Sequence, residues 1–168
     1  MSLRKGVTMR ALLTDIPPAL AAPLTEALAL CDLVPVQTDA SVLLLGAGDP
    51  AQALARIADF AASRPEAGRA GADRIASGQV VWLLPAGQAA VLQGTLARAA
   101  LTHAPQLRVN ALHLAPRRPP PAPWQAAWTA ATQHPGPPPL PQALAQALRL
   151  IVQGPALTGQ VVNVVARR

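Results

Sequence analysis

The stretch Ser41–Pro50, SVLLLGAGDP, holds a strand, a turn and a helix start. Ser41–Leu45 is a continuous apolar run, the pattern of a strand covered on both faces. Gly46-Ala47-Gly48 turns the chain. Asp49 suits a helix N-cap, and Pro50 suits a first helical position, where its missing N–H goes unnoticed. The helix is expected from about Pro50 to Ser63, with Leu54, Ile57, Ala58 and Ala61 on one stripe. A buried strand that feeds directly into a helix is half of a βαβ unit, so the question is whether the flanks repeat it.

They do. Before it, Arg10–Thr14 reads as a strand, Asp15–Pro18 as a turn and helix start, Ala19–Leu30 as an Ala/Leu helix, and Leu33–Gln37 as a second short strand. After it, Arg64–Ser77 is small and polar, a loop with a short helix. Gln79–Leu84 is another buried strand, and Ala86–His103 an Ala-rich helix. Leu107–Leu114 alternates as a strand does. Two proline-rich loops, Ala115–Pro123 and His134–Pro141, flank a short helix over Trp124–Thr132. A helix over Leu140–Val152 and a final strand over Thr158–Val165 close the chain. Strands alternating with helices imply right-handed crossovers and a mainly parallel sheet with helices on both faces. Residues 9–168 are expected to form this one domain, with residues 1–8 a loosely ordered extension before Met9.

Composition narrows the class. Hydrophobic residues make up 51% and charged residues 13% of the 168, a globular balance. No apolar stretch reaches the roughly 20 residues of a membrane span, and no signal peptide is legible, so a cytoplasmic protein without membrane partners is expected. Cys31 is the only cysteine, which excludes an internal disulfide; its apolar surroundings mark it as a core residue. The net charge is +6, and all eight acidic residues lie at or before Asp73, while eight arginines follow it. That asymmetry could draw an anion. The arginines are scattered and no aromatic platform is interleaved with them, which weighs against nucleic acid.

Several segments, taken in order, resemble the short-chain dehydrogenase/reductase family. Leu107–Pro116, LRVNALHLAP, is similar to that family's "IRVNAIAPG" strand and turn. Ala143–Val165 is similar to its last helix and strand, where "TGQ" precedes "VLNVDGG". Gly78–Leu84 resembles "GRIVNISS", and Ala89–Leu92 resembles the "AAVL" after the catalytic lysine. More loosely, Ser41–Gly48 stands where the family has "DVLVNNAG", and Leu12–Ala29 where it has its glycine-rich turn and first helix. The resemblance implies a Rossmann-like three-layer α/β/α fold, shortened relative to the full family. It also implies vestigial cofactor positions at Thr14, Gly46, Gly48 and Pro116, and a homo-oligomer through the 50–63 and 86–103 helices. In that reading Ala89, Ala90, Ala97, Ala99 and Ala100 would permit close helix approach.

The departures from the family set the functional expectation. Its first turn uses glycines so that backbone N–H groups can approach a pyrophosphate. Here Asp15-Ile16-Pro17-Pro18 has no glycine, two prolines and a carboxylate. Between the first helix and Ser41 there is no room for the usual helix between strands two and three. The family's tyrosine is its acid/base, tuned by a lysine four residues on; this chain has no tyrosine, and its one lysine is Lys5. Gln88 falls at the lysine position and Pro85 near the catalytic serine. Neither can exchange a proton near neutral pH.

The expectation is therefore a catalytically inactive relative with a structural, assembly or regulatory role, no catalytic residue, no metal and no cofactor. One alternative is an oxidoreductase using NAD or NADP through substituted residues, on a pterin-like substrate. A second is an anion- or nucleotide-binding module. Gly46–Ala51 also fits the dinucleotide fingerprint G-x-G-x-x-A in the right context, but Asp49 and Pro50 spoil the helix N-terminus it needs. His103, His113 and His134 lack metal-ligand spacing; His113 could face a pocket. Asn110 reads as a side chain that ties backbone groups together, and Thr158 as a turn former. Trp124 and Trp128 share a helix face as a flap over the sheet.

Overall fold

The computed structural model describes residues 9–46, 48–64, 78–84, 89–115, 123, 137–154 and 157–166. Its elements are β1 (Met9–Thr14), α1 (Pro18–Leu30), β2 (Leu33–Pro35), β3 (Val42–Leu45), α2 (Pro50–Ala62), β4 (Gly78–Leu84), α3 (Ala89–His103), β5 (Leu107–Leu114), α4 (Leu140–Gln153) and β6 (Val161–Val164). The expected 1–8 extension, both proline-rich loops, the Arg117-Arg118 pair and the Trp124–Thr132 helix lie outside the described residues, apart from a few loop-end positions.

The strands form one six-stranded sheet, order β2-β1-β3-β4-β5-β6, with every pairing parallel. This is the expected Rossmann-like α/β architecture. Two cores sandwich the sheet. Val42, Leu44, Val81, Leu83 and Leu112 join Leu24 and Leu28 of α1 and Leu144, Leu148 and Ile151 of α4. Leu43, Leu45, Val80, Trp82 and Leu84 join Ile57 and Phe60 of α2 and Leu92 and Leu96 of α3. Alternate residues of one strand thus enter opposite cores, and all of β3 and β4 is buried. That is why those runs are continuously apolar.

Three local readings are corrected. The buried stripe of α2 is Ala53, Ile57, Phe60 and Ala61, and Ala58 faces solvent. Burying the Phe60 ring, against which Gly78 packs closely and over which Arg64 lies at 4.4 Å, removes far more apolar area than burying Ala58. The last strand is Val161–Val164, shorter than expected, because Gly159 takes a φ of +68° and Thr158 and Gly159 instead bond back to Val109. In α3, Ala99 and Ala100 are buried in the chain's own core, so they are not available for close approach to another helix.

The helix C-termini are closed by side chains from distant segments. Arg149 donates to Leu30 O at the end of α1, and Gln106 Nε2 donates to Ala61 O at the end of α2. Gln79 and Arg108 are register partners on β4 and β5. They donate to Val152 O and Gly154 O at the end of α4, at 2.8 and 2.5 Å. Orphan carbonyls there need donors, and a cation also suits the negative end of the helix. The Arg108 guanidinium has its pKa lowered by burial. Arg98, Arg108 and Arg149 are the described arginines after Asp73, and two of them are helix caps.

Candidate functional site

In an open parallel sheet the ligand crevice lies beyond the carboxyl ends of the strands, where the strand order reverses. Here β2 lies on one side of β1 and β3 on the other, so the crevice falls between β1 and β3. Thr14 pairs with Leu45, and the β1–α1 and β3–α2 turns meet directly above.

The meeting is tight. Gly46 N donates to Thr14 O at 3.0 Å. A Cβ on Gly46 would stand 2.4 Å from Asp15 O, 2.7 Å from Pro17 Cδ and 2.9 Å from Ile16 Cα. The glycine is required by close approach of the chain's own backbone. Asp15 holds a φ of +55°, which turns its carboxylate toward α2. There Oδ2 accepts from Gln52 Nε2 at 3.4 Å and Arg56 Nε at 3.3 Å. The pair is half exposed and contributes little energy. Its effect is positional: it ties the β1–α1 turn to α2 with a carboxylate between them.

Neither helix offers an anion a set of free first-turn amides: α2 has none, and α1 has only that of Ala19. In α2, Pro50 has no N–H, and Ala51 N and Gln52 N both donate to the Asp49 carboxylate at 3.2 Å. Ala53 N donates to Asp49 O at 3.0 Å, so all the donors of the first turn are used. In α1, Pro17 and Pro18 lack N–H groups and Leu20 N donates to Pro17 O at 2.8 Å. These residues do not fit a dinucleotide pyrophosphate, which needs free amides at a helix N-terminus and no competing carboxylate.

Of the four vestigial positions, the fold brings Thr14 and Gly46 together and leaves Gly48 in the open, with nothing within 4 Å of an added Cβ. Pro116 lies outside the described residues, as do Pro85 and Gln88. Across the sheet, His113 pairs with Asn163 at the carboxyl ends of β5 and β6, with Nδ1 and Asn163 Oδ1 2.9 Å apart. Nε2 is buried, with no hydrogen-bond partner among the described residues. The Asn163 contact escaped the sequence reading because it depends on strand register. Thr158 Oγ1 accepts from Val109 N at 3.3 Å, so this hydroxyl shapes the loop before β6. Among the described residues no cluster of His, Cys, Asp and Glu could hold a metal ion, and no helix is long and apolar enough to cross a membrane.

No protein-family model matches the chain, and no curated protein matches it in sequence. Its structure is similar to that of the NADP complex of FolM alternative dihydrofolate reductase 1 from Brucella canis. The TM-score is 0.56 at 17% identity, over 93% of this chain and 92% of that one. The likeness is one of fold, a parallel sheet with helices on both faces.

Proposed function

We propose that the chain is a cytoplasmic, catalytically inactive short-chain dehydrogenase/reductase-like protein that binds no dinucleotide and serves a structural, assembly or regulatory role. The observation that carries this is the first turn of α2, whose donors are all taken by Asp49. The absence of any tyrosine from the 168 residues agrees with it. Calorimetric titration with NADPH, NADP, NADH and NAD is expected to show no binding below about 1 mM. Micromolar binding of any of them overturns the reading.

A second reading is favoured by the buried Nε2 of His113 at the ligand end of the sheet, without a hydrogen-bond partner among the described residues, and by the NADP-bound neighbour. It is an NAD(P)-dependent oxidoreductase with substituted residues, acting on a pterin-like substrate. The same titration separates the two. Assembly through α2 and α3 is part of the first reading. It is supported by Leu101, which is 80% exposed on α3. Light scattering on the eluting protein is expected to give at least twice the 17.3 kDa chain mass, and a strict monomer removes the oligomer.

A further inference from the structure

A cavity of 520 Å³ opens at the opposite end of the sheet, where β1 and β2 begin. It lies between the end of α1, the turn into β2 and the last turns of α4. Its size falls within the usual range of small-ligand sites, about 300–1,000 Å³. Met9, Leu28, Leu148 and Val152 supply apolar wall, and Asp32, Arg149 and Gln153 are its polar groups.

The two charges are not neutralised by one another. No ion pair joins Asp32 to Arg149, so their charged atoms stand more than 4.0 Å apart. Arg149 spends one guanidinium nitrogen on Leu30 O and meets no carboxylate among the described residues. Asp32 has no hydrogen-bond partner among them. Both charges act on the Cys31 thiol, Arg149 lowering and Asp32 raising its pKa. Burial, the largest effect, raises it further, and Sγ donates to Ala27 O at 3.0 Å, so the thiol stays neutral. A second observation concerns the rim. Of five large apolar side chains exposed among the described residues, Val34 lines the cavity.

We infer that this cavity binds a small zwitterion of dipeptide size with an aliphatic body, its carboxylate on Arg149 and its ammonium on Asp32. A purely anionic amphiphile would satisfy Arg149 but leave its own charge near Asp32. A single amino acid leaves more of the 520 Å³ unfilled than a dipeptide does. A dipeptide in extended form spans about 7 Å and carries its two charges at its ends. The site lies at the opposite end of the sheet from the β1–β3 crevice, so it stands or falls independently of the function proposed above.

The test is calorimetric titration of the full chain with the dipeptide Leu-Leu, beside N-acetyl-Leu-Leu, Leu-Leu amide and octanoate. Leu-Leu is expected to bind below about 1 mM. Each blocked dipeptide is expected to bind at least about tenfold more weakly, as is octanoate. The exposed Asp32 makes no hydrogen bond or ion pair among the described residues, so Asp32→Asn leaves the fold intact; it should weaken Leu-Leu about tenfold while leaving N-acetyl-Leu-Leu, which carries no ammonium, less affected than the Arg149→Lys variant does. Cys31 is the only thiol and lines the cavity. Saturating Leu-Leu should therefore slow its alkylation by iodoacetamide. Failure of Leu-Leu to bind at about 10 mM, octanoate binding as well as Leu-Leu, or an unchanged alkylation rate overturns the inference.

Discussion

Replacing Gly46 with alanine is expected to destabilise the protein by about 3 kcal/mol, while Gly48→Ala changes stability by less than about 1 kcal/mol. The two glycines look alike in SVLLLGAGDP and occupy equivalent places in a dinucleotide fingerprint. The fold separates them. At Gly46 the new methyl group meets the Asp15 carbonyl, the Pro17 ring and the Ile16 backbone, none of which is the free end of a flexible side chain. Relief requires the β1–α1 turn to move away from β3, which strains the Gly46 N–Thr14 O bond and the Asp15 ties to α2. At Gly48 the methyl group enters open space. Denaturant midpoints of both variants check this. Near-equal, small losses would mean that the turn is not clamped and that the crevice can open.

Asn110→Ala is expected to cost a comparable amount, about 3 kcal/mol, or some 6–12 °C in Tm for a chain of this size. Asn110 is fully buried. Its Nδ2 donates to Leu157 O at 2.9 Å and its Oδ1 accepts from Gln160 N at 3.1 Å. Alanine removes both bonds and strands a carbonyl and an amide in the loop that leads into β6. Each stranded group costs about 1–3 kcal/mol. Beside it, Val109 N donates to Thr158 Oγ1, and Gly159 N donates to Val109 O at 2.7 Å, so the loop is held at several points and cannot easily shift to recover the lost pair. Thermal unfolding measures the loss, and hydrogen exchange should show it concentrated in β6 and the end of α4. A loss below about 1 kcal/mol would show that the loop re-forms its bonds with water.

The readings that held share a physical basis. Local apolar runs and caps identified β3, β4, β5 and the start of α2, because a strand covered on both faces must be apolar throughout and Asp49 bonds only to its near neighbours. The tie through Asn110 was legible as a role, although its partners lie 47 and 50 residues away. The α2 stripe was misplaced by the choice between Ala58 and Phe60, which depends on what Gly78 and Arg64 bring against the helix. The last strand was overextended because nothing local marks where Gly159 turns. The cluster of late arginines gave an ambiguous signal: charge counted along the chain cannot distinguish an anion site from helix caps.

By itself the sequence determined the alternation of strands and helices, the lack of a tyrosine, and the poor match of Asp15–Pro18 to a phosphate-binding turn. These follow from residue identity and short-range periodicity, which act within a few positions. Tertiary structure alone decided that Gly46 is closed by Asp15 and Pro17, that Arg108 and Arg149 close the ends of helices, and that His113 faces Asn163. It alone opened a cavity between Asp32 and Arg149. Those contacts join residues tens to more than a hundred positions apart, and strand register together with the packing of α1 and α4 on a common sheet face sets which of them meet.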